Sequence, residues 1–277
     1  MSTDGPDVRG RIDAVWDRLS PAERRVAAVV RHDPELLLLG TSSRLATESG
    51  TSKATVSRLV RSLGFQDAAE ARQELMVARG SGLPWVAEDA AHVDQRVVEA
   101  RNLATGMASL ARADRPRLAR RIVRAHRVLV IGERGAHAVA LQLRAQLAQV
   151  RSDVRVGPAP GQRLGEDVAD LDRRDLVVIV TVRRHAAGVG RLVEYCSRTG
   201  ADVVVLGDPT AAVIAAPATT AVLVPVDAPA AFDSMAALFA VVAAIANDVY
   251  EAAGPSGRAR VDAIARAYDT LEELTDL

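Results

Sequence analysis

At 277 residues the chain is long enough for one large domain or two ordinary ones, and 49% apolar content allows a real core. Its 35 basic and 35 acidic side chains cancel to a formal net charge of zero. That balance excludes nucleic-acid binding through overall charge and leaves only a local basic surface for it. The single cysteine, Cys196, excludes an internal disulfide and suits a reducing cytosol. Set in Arg191-Leu-Val-Glu-Tyr-Cys-Ser197 on a helical pattern, it reads as a small buried apolar group. Asp4, Asp7 and Asp13 occupy the region where a signal peptide needs basic and then apolar residues. The longest apolar stretch, Met235 to Ala246, is too short to span a bilayer. A soluble, cytoplasmic protein without a membrane partner is expected.

In chain order, Val8, Ile12, Val15, Trp16 and Leu19 form one helical stripe, with Trp16 expected in the core. Ser20-Pro21-Ala22-Glu23 places a cap, a first-turn proline and a capping-box acid at the start of a helix running to about His32. Asp33-Pro34 begins the next segment. Gly80-Ser-Gly-Leu-Pro84 breaks both composition and periodicity and reads as a linker, after which a helical pattern runs from about Ala87 to Ala111. The pattern then changes to short apolar runs at 127–132, 176–182, 201–207 and 221–226, separated by helical stretches at 138–150 and 189–199. Four strands with little alternation, interleaved with helices, predict a parallel sheet covered on both faces. A nearly all-apolar helix at 234–253 is expected to be buried in the domain or in a subunit interface. The expected organisation is an all-α helix-turn-helix domain at 1–79, a linker and connecting helix at 80–112, an α/β domain at 113–253 and a C-terminal helix at 254–277.

The sharpest constellation is Ser43-Arg-Leu-Ala-Thr-Glu-Ser-Gly50-Thr-Ser-Lys-Ala-Thr-Val-Ser-Arg-Leu59. A helix-turn-helix needs a small residue where its helices cross, a turn residue tolerating positive φ, and apolar anchors. Ala46, Gly50 and the trio Leu45, Val56 and Leu59 supply them, and Ser52 is a natural N-cap for the second helix. No acid lies between Glu48 and Asp67, while Lys53, Arg58 and Arg61 are basic. Lys53, Thr55, Ser57 and Arg58 are expected on the exposed face, within reach of base edges. Thr51, Ser52 and Arg61 are better placed for phosphates.

Leu19-Ser-Pro-Ala-Glu-Arg-Arg-Val-Ala27, His32-Asp-Pro-Glu-Leu36, Leu45-Ala46, Thr55-Val-Ser-Arg58 and Leu63-Gly-Phe65 resemble the N-terminal domain of RpiR/MurR-type transcriptional regulators. The resemblance covers residues 10–77 closely and 113–250 more loosely. It implies a second domain of the SIS (sugar isomerase) class with a flavodoxin-like or Rossmann-like parallel sheet. It also implies a homodimer or homotetramer, an inverted-repeat operator in double-stranded DNA, and a phosphosugar effector.

In an open parallel sheet, ligands bind beyond the carboxyl ends of the strands, where free backbone amides attract anions. Two such ends stand out: Gly132-Glu-Arg134-Gly135-Ala-His137 and Thr181-Val-Arg183-Arg184-His185-Ala186. Gly132 to Gly135 does not provide the dinucleotide fingerprint Gly-x-Gly-x-x-Gly. SIS domains carry Gly-x-Gly-x-Ser and Ser-x-Ser-Gly-x-Thr at these places. Here Arg134 and Ala136 replace the second Gly and the Ser. Thr181 keeps a hydroxyl, and Arg183, Arg184, His185 and Ala186 replace the remainder. Three readings of the pocket stay open. Arg134, Arg183 and Arg184 hold a small anion by their guanidinium groups. Alternatively the pocket is vestigial, its arginines solvated or paired with acids such as Glu133 or Glu166. Or His137 and His185 belong to a metal or catalytic site, although two histidines supply too few ligands for a metal. The sequence calls for no cofactor. A sugar-phosphate isomerase or lyase on the same fold would leave the helix-turn-helix unexplained, so a regulator rather than an enzyme is expected.

Overall fold

The computed structural model describes residues 8–32, 35–38, 41–72, 74, 94–229 and 232–273. The 33–34 segment start, the 80–84 linker and the beginning of the connecting helix at 87–93 lie outside the described residues. The chain divides into two compact units, Met1–Leu83 and Pro84–Leu277.

The first unit is helical: α1 (Val8–Val15), a 3-10 turn (Trp16–Arg18), α2 (Pro21–His32), α3 (Glu35–Leu38), α4 (Ser42–Glu48) and α5 (Lys53–Ser62). The capping box at the head of α2 forms reciprocally. Ser20 N donates to Glu23 Oε2 at 3.0 Å, and Glu23 N donates to Ser20 Oγ at 3.3 Å. Ile12, Val26, Val30, Leu45, Val56 and Leu59 are buried together as the core. Trp16 differs from expectation. Because α1 ends at Val15 and the chain tightens into the 3-10 turn, the indole is half-buried and packs against the core from its edge, with the Arg24 guanidinium 6.0 Å from its ring.

The second unit contains α6 (Gln95–Arg112), α7 (Arg115–Arg124), β1 (Val128–Gly132), α8 (Ala136–Val150), β2 (Val154–Gly157), α9 (Leu164–Val168), β3 (Leu176–Thr181), α10 (Val189–Arg198), β4 (Asp202–Gly207), a 3-10 turn (Pro209–Ala212), β5 (Thr220–Leu223) and α11 (Ala236–Leu271). The strands form a five-stranded parallel sheet of order β2-β1-β3-β4-β5. Side chains alternate across a strand, so Val128, Val130, Val178, Val180, Val204 and Leu206 face one core. Leu129, Ile131, Val177, Ile179, Val203 and Val205 face the other. Helices α6, α7, α8 and α11 cover the first face, and α9, α10 and the Pro209–Ala212 turn cover the second. Double coverage is why the central strands are apolar at nearly every position between their ends.

Elements that escaped the sequence reading include β2 and α7. The fifth strand, β2, is an edge strand paired only with β1; its Arg155 is exposed and its run is short. Helix α7 carries five arginines in ten residues and so shows no apolar run. Its inward stripe of Leu118, Ala119 and Ile122 is nonetheless buried. The ends of α7 are closed by charge. Asp114 accepts from Arg117 N at 3.2 Å. The Arg151 guanidinium donates to the carbonyls of Ile122, Ala125 and His126 at 2.6, 2.8 and 3.0 Å. Cys196 is fully buried, and burial pushes its thiol up to about 11.

Helix α11 is long and apolar enough, by length and composition, to cross a membrane. Gly254 (φ 56°, ψ −134°) interrupts it before Pro255. Leu238, Val241, Val242, Ile245 and Val249 lie in the core of this unit, among the residues of α7 and α8. The apolar half of α11 is therefore a core helix of the α/β unit. Leu143 of α8, fully buried in the same core, tests this packing. Leu143→Ala is expected to destabilise the unit by about 2–5 kcal/mol, read as a lower urea midpoint at an unchanged m-value.

Candidate functional site

The turn between α4 and α5 is set by hydrogen bonds that only a left-handed residue permits. Thr51 N donates to Ala46 O at 2.8 Å and Gly50 N to Thr47 O at 3.2 Å, with Gly50 at φ +59°. A Cβ at Gly50 would meet nothing within 4 Å, so the glycine serves the dihedral and not the space. Ala46 and Leu45 of α4 are buried against Val56 and Leu59 of α5. Ser52 caps α5, accepting from Thr55 N at 3.2 Å.

The exposed face of α5 presents Lys53, Ala54, Arg58, Arg61 and Ser62, with Ser57 half-buried beside them. Thr55 is a correction. Expected at base edges, it is 4% exposed, because its hydroxyl turns back to Ser52 Oγ (3.0 Å) and accepts from Arg58 Nη2 (3.3 Å). The outward position of that turn is Ala54, whose methyl suits apolar contact with a thymine methyl. Thr51 also departs from its expected phosphate role. Ser49 Oγ spends its proton on Leu45 O at 2.6 Å, so Thr51 Oγ1 donates to Ser49 at 2.8 Å, and Thr51 N is held by Ala46. Ser52 stays exposed at the helix start. The fold also brings an acid to this face that sequence spacing hides. Glu23 of α2 accepts from Ser62 Oγ at 3.3 Å and lies in the field of Arg58. Its carboxyl is held below the usual range, chiefly by the Ser20 hydroxyl.

In the α/β unit, a cleft of about 100 Å³ opens at the carboxyl ends of β1 and β3. Arg134, Gly135, Thr181, Arg183 and Arg184 line it, with Glu133 and Met235. Gly132, His137 and His185 do not. A Cβ on Gly132 would lie 2.7 Å from Ala136 O, so this glycine packs strand against helix. His137 is half-buried with Nδ1 at 2.9 Å from Gly132 O. Arg134 is exposed at φ +57°. Arg183 is held at both ends. Its N–H donates to Asp208 Oδ1 at 3.1 Å, and its Nε donates to both oxygens of Asp233 at 3.0 and 3.1 Å. Its Nη2 also bonds Asp233 and lies 4.0 Å from Asp227. The acids that pair with it are thus Asp233 and Asp227, not the expected Glu133 or Glu166.

His185 closes a hydrogen-bond chain whose direction can be worked out. The Asp208 carboxylate, 1% exposed, only accepts, so Thr210 Oγ1 spends its proton on it at 2.9 and 2.8 Å. Nε2–H of His185 therefore donates to Thr210 Oγ1 (2.9 Å), and Nδ1 accepts from Thr181 Oγ1 (2.8 Å). The one hydroxyl retained in this loop has its proton directed at a histidine, away from any ligand. Among the described residues no group of three or more metal-ligating side chains converges.

Comparison with known families and structures bears on both units. Residues 8–77 match the helix-turn-helix domain of the rpiR family, and residues 121–247 match the SIS domain. The chain carries an rpiR-family helix-turn-helix domain followed by a SIS domain. Its fold is similar to that of the Vibrio vulnificus NanR protein complexed with ManNAc-6P, at TM-score 0.55 and 18% identity, covering 96% of this chain and 99% of that one. It is likewise similar to the sugar isomerase domain of an RpiR transcription factor from Sphaerobacter thermophilus, at TM-score 0.55 and 20% identity, covering 62% and 96%. No curated protein sequence matches it.

Within the SIS domain the His185 chain has a consequence for pH. Burial is the main cause that lowers the imidazole below its ordinary value, with Asp208 opposing. Its neutral form is the native one. A histidine whose folded pKa lies below the unfolded value of about 6.5 contributes stability above that value. The contribution is lost as pH falls through the window between the unfolded and the lowered folded pKa. Wild type is therefore expected to lose more thermal stability than His185→Gln between about pH 7.5 and about pH 5.5. Equal pH slopes for the two Tm series would show that His185 takes up its proton in the folded protein as readily as in the unfolded chain, and would overturn the buried neutral state.

Proposed function

We propose that this rpiR-family protein is a cytoplasmic transcriptional regulator whose α5 reads double-stranded DNA and whose SIS cleft receives a small anionic effector. The observation that carries the reading is the outward face of α5. Lys53, Ala54, Arg58 and Arg61 lie there side by side, behind a turn whose hydrogen bonds fix the helix start. A neutral chain that concentrates cations on one short helix is built for local contact with phosphate and base edges. On this reading Arg58 meets guanine, Ala54 a thymine methyl and Lys53 a base edge, while Ser52 and Arg61 meet the backbone. An inverted-repeat operator read by a homodimer or homotetramer fits such a helix, since each copy contributes one reading element.

For the effector, the NanR protein complexed with ManNAc-6P supports a sugar phosphate as the first compound to try. The cleft itself favours something smaller. Its volume of about 100 Å³ lies below the roughly 300 Å³ at which small-molecule sites begin. Its lining also replaces hydroxyl donors by guanidinium groups. A SIS-fold isomerase is the competing reading, and the presence of α5 counts against it.

On a DNA fragment selected by the wild-type protein, Arg58→Ala is expected to weaken binding by about ten-fold or more with an unchanged Tm, and to relax discrimination at one base pair. Undiminished affinity at physiological salt would remove α5 as the reading helix.

A further inference from the structure

The innermost cation of the SIS cleft is already occupied by the chain itself. Arg183 is the cleft's most enclosed basic group, its side chain 13% exposed, and Asp233 takes it through a two-oxygen contact from 50 residues away. That is the geometry by which a guanidinium grips an oxyanion ligand. The second acid, Asp227, is fixed in place. Its backbone carbonyl accepts from the buried Asn102 at 2.8 Å, and its carboxylate lies 3.6 Å from Arg101. Asp227 is 10% exposed, whereas Asp233 is 25% exposed and follows the outlying Phe232, which is 88% exposed. Of the two acids on Arg183, Asp233 is the one with access to water. The neighbouring Thr181 hydroxyl, committed to His185, cannot act as a donor in its stead.

We propose that Asp233 is a tethered counter-anion in the cleft, and that an effector binds by taking its place on Arg183. The ligand class follows from the exchange. It must bring a compact oxyanion, a phosphate or carboxylate, with two oxygens side by side. Its affinity is set by competition with an internal carboxylate at very high effective concentration. This rests on the cleft being the effector site. It adds that the site is self-occupied, which separates it both from an open anion pocket and from a defunct one. Because the competitor is covalently attached, ligand binding and release of Asp233 are one equilibrium. The effector therefore alters the 232–235 segment as it binds.

The test uses the full chain with inorganic phosphate as the probe, titrated calorimetrically at fixed ionic strength. Asp233→Asn, which keeps the shape and removes the charge, is expected to bind phosphate at least ten-fold more tightly than wild type. The double variant Asp233→Asn/Arg183→Gln is expected to lose that gain. Asp233→Ser serves as an independent second variant, with folding of each checked by circular dichroism and urea titration. If folded Asp233→Asn and Asp233→Ser bind phosphate no more tightly than wild type, the counter-anion is overturned, and measurable wild-type binding would still leave the cleft as the anion site. If the gain survives without Arg183, the anion binds elsewhere and the proposal falls. If no variant binds phosphate, the proposal falls too. Operator binding by the same preparations then decides the regulator reading separately.

Discussion

A parallel sheet has one consequence on which the rest of the α/β unit depends: all its strands end on the same edge. The carboxyl ends of β1, β3 and β4 are neighbours through the registers Gly132↔Val180 and Thr181↔Gly207. The loops that follow them, distant in sequence, must therefore meet. That is how Asp208, following β4, comes to hold the backbone of Arg183 and, through Thr210, the ring of His185. A buried carboxylate is costly unless its lone pairs are filled, and here Arg183 N, Thr210 N and Thr210 Oγ1 fill them. The loop after β3 is thus shaped from beneath by an acid that no local motif would reveal.

The same edge is where the charge is decided. In water an exposed ion pair is worth little, but Arg183 and Asp233 are partly shielded and joined through two oxygens, so their contact is stronger than the surface average. Asp227 adds a second acid and Arg101 a second base, leaving this inner group balanced. Arginines in a cleft do not by themselves make an anion site. What counts is the charge left over once the fold has paired them, and at Arg183 that remainder is close to zero.

Much of the architecture was legible because burial writes itself into periodicity. The apolar runs of β1, β3 and β4, the helix at 189–198 and the capped helices of the first unit follow from local pattern alone. The Ala46–Gly50 spacing gave the turn, since that geometry demands a positive φ at one position. What stayed hidden was hidden for physical reasons. Strand β2 is half-exposed at an edge, and α7 buries a narrow stripe under arginines that point outward. Thr55 is expected on the exposed face, yet a cap at Ser52 draws its hydroxyl inward. Apart from Thr181, the partners of Arg183 and His185 lie 25 to 50 residues away along the chain. The sheet order and the return of the chain ahead of α11 place them, so Arg183 meets Asp233 and Asp227 and not Glu133 or Glu166, the acids nearer in sequence.

The first unit faces the opposite electrostatic problem, and its solution shows why net charge misleads. Lys53, Arg58 and Arg61 stand on one helix of a chain with no net charge, so on the proposed reading a single α5 can neutralise at most about three phosphates. So modest a non-specific term leaves discrimination to the few side chains at the base edges. Glu23 sharpens this further. Its carboxylate, anchored by the capping box and by Ser62, sits close enough to influence Arg58. An acid beside an arginine weakens its attraction for any phosphate, whereas a bidentate guanine contact depends more on the geometry of its donors. The α2 cap is therefore more than a helix start. It sets a carboxylate beside the arginine proposed to read the operator, so the fold of the unit and the charge around that arginine are linked.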